Sequence, residues 1–349
     1  MREYIMKLTI REIAKMAGVS PATVSKVINQ TGRISPNTIQ KVKRIIEETG
    51  YQPSFSAKTL TTKKSNMIGL IYAGELNVEF NHPFFNHVIN SFKNTIGLLG
   101  YDILVFSNQA INIGEVDYIA RASHYQLDGC LIIAGEDIGD SITKLDESNI
   151  PTVGVDLELS GEQSSYVMTD NKKVSKQVVE YFYLHGIRKV AFLAGQEKSQ
   201  VSNERRESFV QSMKEFGMDV DDNWIKYGNY FEESGYEKMK EILQEDSRPD
   251  AVFAVSDMMA LGAMRAIKEA GLSVPKDIKV VGCDDIEACR YSDPSLATVK
   301  QDQIKIGKLA ATMLHDLISE RKVPKSLLVD PELIIRDSCK VGADFSGRS

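Results

Sequence analysis

The sequence predicts an all-α N-terminal head joined to an α/β core of parallel sheets, and three observations lead there. Three helix starts with one shared capping grammar fall within the first 50 residues. Seven short apolar runs then alternate with helix-length amphipathic segments, as in sheets covered by helices on both faces. Charge is also split between the two regions: 12 Lys and Arg against 4 Asp and Glu up to Lys64, but 30 against 44 in the remainder, for a net charge of −6. A basic head on an acidic body points to a polyanionic partner for the head, although a basic solvated surface would carry the same charge.

The chain has 349 residues, 42% of them hydrophobic, enough for two or three domains with substantial cores. No run of about 18 apolar residues could cross a bilayer, and "MREYIMKLTIREIAKMAG" lacks the apolar core of a signal peptide. A cytoplasmic protein without membrane contact is expected. Cys130, Cys283, Cys289 and Cys339 form no CxxC pair, so neither disulfide framework nor zinc site is indicated. His82 and His87 are five apart, off register for two ligands on one helix face, and are read as structural or surface residues. No metal or other cofactor is expected.

The first helix starts at the T-x-x-E capping box of Thr9 and Glu12, with Leu8 and Ile13 placed as a hydrophobic staple. Ile10, Ile13, Ala14 and Ala17 form its stripe, and Gly18 ends it in a left-handed turn. In "VSPATVSKVIN", Ser20 is the N-cap, Pro21 the first helical residue, and Val19 with Val24 the staple. Val24, Val27 and Ile28 face inward, leaving Pro21, Ala22, Ser25, Lys26 and Asn29 on the other side. "ISPNTIQKVKRIIEETGY" repeats the device with Ser35, Pro36 and an Ile34–Ile39 staple, a stripe of Ile39, Val42 and Ile46, and Gly50 as the stop. Two short helices joined by a glycine turn, with a third packed across them, make a helix-turn-helix domain, whose second helix enters the major groove by its N-terminal end. A plain helical bundle is the alternative; the basic charge favours DNA binding.

These residues resemble a known family. "TIREIAKMAGVSPATVSKVIN" is similar to the DNA-binding domain of the LacI/GalR transcription regulators, and "GYQPSFSAKTL" to their hinge segment. "FLAG", "SDMMALGAMRAIKEAGLSVPKDIKVVGCDD" and "LATVKQD" extend the likeness over nearly the whole chain. The resemblance implies a helix-turn-helix domain at 8–53, a hinge helix or linker at 54–65, and an effector-binding and dimerisation core at 66–345. The core would have the periplasmic-binding-protein type I fold, two doubly wound lobes crossed three times, near Met168, Val299 and Pro331. Lobe 1 would hold about 66–168 and 299–330, lobe 2 about 169–298 and 331–345.

On this resemblance the DNA contacts are Thr9, Ser20, Pro21, Ala22, Thr23, Ser25, Lys26 and Asn29 in the head, and Ala57, Lys58 and Leu60 in the hinge. Leu60 matches the leucine that the family drives into the minor groove, an apolar wedge that unstacks a base step and bends the duplex. Lys58, Lys63 and Lys64 sit where phosphates would be close. Pro21 and Ala22 are short, which shifts base reading towards Lys26.

In the core, "MIGLIYA", "YDILVFS", "GCLIIAG" and "PTVGVD", then "KVAFLAG", "AVFAVSD" and "IKVVGCDD", read as two sets of buried strands. Ligands of such sheets bind beyond the carboxyl ends of strands, which brings forward Asp156, Ser256 and Asp284, and Arg205 in the helix after "FLAG". The resemblance makes Arg205 the arginine that holds a sugar hydroxyl or an anionic group, Asp284 an acceptor for hydroxyls, and Tyr230 an aromatic stacking position. Phe80, Phe84 and Phe85 resemble the family's apolar cleft wall. Two carboxylates, one forked donor and aromatic faces suit a polyhydroxylated ring. Either aspartate can instead cap a helix, and Phe84 or Phe85 can be simple core. Ser256 stands where many members carry Asn or Asp, and the loop before "HPFF" is long, so no relative's ligand transfers directly.

The function implied is a sequence-specific DNA-binding transcription regulator, a repressor, acting as a homodimer on near-palindromic double-stranded operator DNA. A small carbohydrate-like effector between the lobes would change its DNA affinity. A solute-binding protein on the same core is disfavoured by the head and the missing signal peptide. An enzyme is disfavoured because no G-x-S-x-G, Walker A or dinucleotide-type glycine pattern is present.

Overall fold

A computed structural model of the chain describes residues 8–29, 31–51, 64–73, 81–106, 117–134 and 139–341. The chain divides into two compact units, Met1–Ser65 and Asn66–Ser349. The sequence-based expectations for Ala57, Lys58, Leu60, Lys63 and Phe80 fall outside the described residues.

The head is three helices, α1 (Ile10–Ala17), α2 (Pro21–Ile28) and α3 (Pro36–Thr49). Each begins as its sequence dictates. Thr9 and Glu12 close a reciprocal capping box, with the Thr9 amide donating to Glu12 Oε2 at 2.6 Å. Ser20 and Ser35 accept from the amides of Thr23 and Thr38, and a proline follows each as the first helical residue. Gly18 and Gly50 end α1 and α3 at φ 67° and 63°, where a side chain would be strained. Ile13, Ala14, Ala17, Val24, Val27, Val42, Ile45 and Tyr51 form the core, with the staple residues Leu8, Val19, Ile34 and Ile39 packed on it. The third helix adds one residue to the expected stripe of Ile39, Val42 and Ile46: Ile45 is buried beside Val42, three positions away, while Ile39 and Ile46, half-buried, pack on the same core.

The core contains two six-stranded sheets. The first has the order β11-β5-β4-β3-β1-β2, from β1 (Met67–Ala73), β2 (Asp102–Val105), β3 (Gly129–Ala134), β4 (Thr152–Val155), β5 (Ser164–Thr169) and β11 (Ser326–Val329). All its pairings are parallel. The second has the order β12-β10-β9-β8-β6-β7, from β6 (Val190–Ala194), β7 (Ile225–Tyr227), β8 (Ala251–Ala254), β9 (Lys279–Asp284), β10 (Ala297–Lys300) and β12 (Glu332–Ile334). Only β10 with β12 is antiparallel there. The chain leaves the first sheet after β5, returns after β10 and leaves it again after β11. Val299 lies inside β10, paired with Cys283 and Leu333, so the middle passage follows Lys300.

Helices α4 (Pro83–Leu98), α5 (Tyr118–His124), α6 (Asp140–Asp146) and α12 (Gln303–Ile318) belong to the first lobe, whereas α7 (Asn171–Leu184), α8 (Gln200–Glu215), α9 (Glu232–Leu243), α10 (Asp257–Glu269) and α11 (Ala288–Tyr291) belong to the second. Both lobes bring one helix pair together through a glycine. A Cβ on Gly307 of α12 would meet the Val88 carbonyl of α4 at 2.5 Å, and one on Gly262 of α10 would meet the Glu232 carbonyl of α9 at 2.0 Å. With the sheets so covered, β3, β4, β6 and β8 are buried throughout, as near-continuous apolar runs require.

Candidate functional sites in the head and the cleft

The outward face of α2 is made of small groups held in place by one another. Pro21, Ala22 and Lys26 are exposed, and Ser25 and Asn29 are half-buried, with Asn29 Nδ2 donating to Ser25 Oγ at 3.3 Å. Ser20 Oγ accepts from the Thr23 amide at 3.1 Å and lies 2.9 Å from Thr23 Oγ1. Thr9 Oγ1 is 2.9 Å from Glu12 Oε2, and the Thr9 amide and hydroxyl hold that carboxyl below its ordinary range. The stem of Lys26 lies against Gly32, where a Cβ would meet its Cδ at 3.4 Å, so the backbone of the following loop supports the stem while the residue stays exposed.

The second site lies beyond the carboxyl ends of the core strands. Arg205 of α8 is 2% exposed and three of its five N–H donors go to neutral acceptors: Nε donates to Asn171 Oδ1 at 2.9 Å, Nη1 to the Val255 carbonyl at 2.9 Å and Nη2 to Gln301 Oε1 at 3.1 Å. Gln301 passes the chain on, its Nε2 donating to Asp284 Oδ1 at 2.6 Å, while Gln303 Nε2 binds the Asp284 carbonyl at 2.6 Å. Asp284 Oδ2 and Asp156 Oδ1 are buried without a hydrogen-bond partner. Burial, opposed by Arg205, raises Asp156 to about 6. Burial and then the nearby Asp257 push Asp284 well above the carboxylate range, again against the pull of Arg205.

Backbone strain collects at the same place. Asp156, Tyr230, Asp284 and Asp285 have φ of 53°, 69°, 135° and 58°, conformations that side chains other than glycine adopt at a cost. Asp285 turns away from Asp284 and pairs with Arg336 at 2.5 Å and Arg290 at 3.8 Å. Behind them Asp257 accepts from Thr298 Oγ1 at 2.6 Å and the Ile286 amide at 2.9 Å, fixing the loop after β9.

The residues singled out in the sequence are placed as follows. Asp156, Arg205 and Asp284 come together as one electrostatic cluster, which Tyr230 joins. The Tyr230 ring lies on Gly195, where a Cβ would meet it at 2.2 Å, and its hydroxyl is 2.6 Å from Ser199 Oγ; burial raises it to about 12. Ser256 caps α10 through the Met259 amide at 3.1 Å and donates to the Tyr230 carbonyl at 2.7 Å, so its hydroxyl already has both a donor and an acceptor. Phe84 is 1% exposed, in the core of the first lobe against Phe85 at 5.0 Å between ring centroids.

Three polar residues of the cleft were not foreseen: Asn171 and Gln301, which hold Arg205, and His82. His82 precedes a helix-starting proline where Ser, Asp or Asn is usual, yet forms no capping bond, and that mismatch was the available signal.

Residues 9–54 match the model of the bacterial regulatory proteins of the lacI family, and residues 179–339 match a periplasmic binding protein-like domain. The HTH-type transcriptional repressor PurR of Pasteurella multocida is 32% identical over 335 residues, covering 95% of this chain and 98% of its own. The chain belongs to the LacI family of bacterial regulatory proteins. The regulator is also 33% identical over 337 residues to PurR of Serratia proteamaculans, covering 96% of this chain and 97% of that one. Among solved structures, the lac repressor dimer bound to operator and the anti-inducer ONPF superposes with a TM-score of 0.81 at 25% identity, over 95% of this chain and 98% of that chain. The complex of the transcriptional regulator CelR with cellobiose superposes at 0.70 with 29% identity, over 95% and 99%. The regulator is thus a helix-turn-helix DNA-binding protein with a two-lobed α/β core, and its matched relatives are repressors rather than enzymes. No described helix is long and apolar enough to cross a membrane.

Proposed function

We propose that the regulator is a cytoplasmic repressor that binds near-palindromic operator DNA as a homodimer, and that a small hydroxylated, carbohydrate-like effector held between the lobes sets its DNA affinity. Catalysis has no part in this reading. The observation that carries it is the cleft: a buried cation whose fork is engaged by neutral groups, beside two carboxylates that each keep a buried oxygen without a partner. Buried polar atoms are ordinarily satisfied, and leaving them bare is costly. A ligand rich in hydroxyl donors would satisfy both Asp156 and Asp284 while Arg205 offers its remaining N–H groups. Tyr230 would face such a ring, with Ser256 supporting the loop that carries Tyr230, whereas Phe84 and Phe85 back the site from the core of the first lobe. The relatives solved with ONPF and with cellobiose agree with that chemistry.

On the DNA side, Pro21, Ala22 and Lys26 would meet the major groove, flanked by Thr9, Ser20, Thr23, Ser25 and Asn29, and Leu60 with Ala57 and Lys58 would act at the centre of the operator. The effector acts only through unequal affinity for the DNA-competent and DNA-incompetent lobe arrangements. A thermal-shift screen of neutral sugars, sugar acids, sugar phosphates and nucleobases tests the reading, because a ligand of the folded state raises the melting temperature. Neutral sugars are expected to give the shift and to change operator binding. A shift confined to nucleobases or to anions would overturn the carbohydrate assignment.

A further inference from the structure

His82 remains unused by everything described so far. Its ring lies where the lobes touch, 5.5 Å from Phe85 of its own lobe and 5.6 Å edge-on from Phe231, which precedes α9 in the other. It is 5% exposed, and neither Nδ1 nor Nε2 has a hydrogen-bond partner. It occupies the N-cap position of α4 with φ −81° and ψ 115° but makes no capping bond. The ring therefore gives up water and the local helix bond together, and the position it takes instead borders the effector cleft.

The surroundings determine its protonation state. Burial and, second, the positive charge of Arg205 lower its pKa to about 4, so the ring is neutral near pH 7. Arg205 of α8 is the charge that acts on it from the facing lobe, Phe231 and Phe85 bring none, and the cleft acids Asp156 and Asp284 act on Arg205 itself. A neutral imidazole offers one donor and one acceptor, and a hydroxyl can answer either. A charged ring, by contrast, would have to be desolvated beside a guanidinium.

We propose that His82 is a specificity-determining residue that makes effector binding proton-linked: the neutral ring, held between Phe85 and Phe231, hydrogen-bonds a hydroxyl of the effector, and a proton on the ring opens the cleft and competes with the effector. The proposal rests on the effector reading above. Its sign follows from linkage. The closed arrangement holds the His82 proton less tightly than a solvated imidazole does, so closure is at full strength above about pH 6.5 and is lost as pH falls towards the closed value. Apparent effector affinity should be about tenfold weaker at pH 5.5 than at pH 7.5.

Asp156, at about 6, titrates in the same window, so the test compares the full chain with His82→Gln, which keeps an amide donor and acceptor but does not titrate there. With 13C-labelled histidine, the Cε1 resonance absent from His82→Gln should titrate near the ordinary imidazole value of about 6.5 in the ligand-free protein, whose lobes open, and below about pH 5 once cellobiose closes them. A ligand-free midpoint already below about 5 leaves no proton for the effector to displace between pH 7.5 and 5.5 and overturns the proposal, and this arm needs no ligand. With cellobiose as the probe, the thermal shift should shrink from pH 7.5 to 5.5 more steeply in the wild type than in His82→Gln, which keeps only the Asp156 contribution. Equal slopes would assign the pH dependence to Asp156 and overturn the proposal while leaving the effector reading intact. No cellobiose shift at pH 7.5 would count against the carbohydrate reading itself, a failure distinct from that of the histidine midpoint.

Discussion

The head and the cleft handle polar groups in opposite ways. In the head, Thr9, Ser20 and Ser35 each bond a backbone amide three residues on, and even Asn29 finds Ser25 one turn back. The outward surface of α2 is therefore finished before any partner arrives. In the cleft, Arg205 joins residues 34, 50 and 96 positions away, and it is there that Asp156 and Asp284 keep bare buried oxygens. A rigid surface suits a partner of fixed shape such as a DNA groove, whereas an unfinished polar cluster suits a ligand whose arrival is meant to change the lobes.

Removing the cleft's cation should produce the largest effect. Arg205→Ala takes away the positive charge that opposes the raised pKa values of both Asp156 and Asp284, and breaking a buried charge cluster in this way costs about 3–5 kcal/mol. The core should melt earlier and the effector shift should vanish. Operator binding through the head, a separate compact unit, should remain measurable. A core with unchanged melting temperature and a normal effector response would end the assignment of Arg205 to the site.

Asp156→Asn should act in the other direction on stability. A carboxyl raised to about 6 binds its proton more tightly folded than unfolded. Its burden on the ligand-free fold is absent below about pH 4, grows as pH rises through about 4 to 6, and stands in full above that. At pH 7.5 the amide should therefore stabilise the ligand-free core by about 1–3 kcal/mol while weakening the effector, and the gain should disappear near pH 4. Denaturant melts at the two pH values check it. A loss of stability at pH 7.5 would mean that Asp156 is satisfied, and the contrast between head and cleft would lose half its support.

The same contrast explains what the sequence made legible. The head could be read almost residue by residue, because capping boxes, proline starts and staples act over three to five positions. The one omission is Ile45, which lies three positions after Val42 and joins the core beside the expected Ile46. Strands β1, β2, β3, β4, β6, β8 and β9 stood out as apolar runs. β5 did not, because it buries Ser164, Ser165 and Thr169 among its apolar residues, and β7 and β12 are three residues each. In the cleft, strand-end logic and family resemblance brought Asp156, Arg205 and Asp284 forward. Asn171, Gln301 and His82 stayed hidden because their roles depend on contacts between distant segments. The hydroxyl of Ser256 illustrates the limit: its position is the expected one, yet its bonds go to Met259 and Tyr230.

The smallest effect, and the finest test of the contrast, is at Ser20. As an N-cap it accepts from the Thr23 amide, and Ser20→Ala should cost the head about 1 kcal/mol. Ser20→Asp caps equally well and adds a charge that the helix N-terminus favours, so the head should regain its stability. If Ser20 also lies on DNA, the aspartate faces phosphates, and operator affinity should rank wild type above Ala and Ala above Asp, the reverse of the Ala and Asp order in stability. Hydrogen exchange of the α2 amides in the full chain reads the first ranking, and operator titration at fixed salt the second. Matching orders would make Ser20 a cap alone and move the DNA-facing surface of α2 towards Pro21, Ala22 and Lys26.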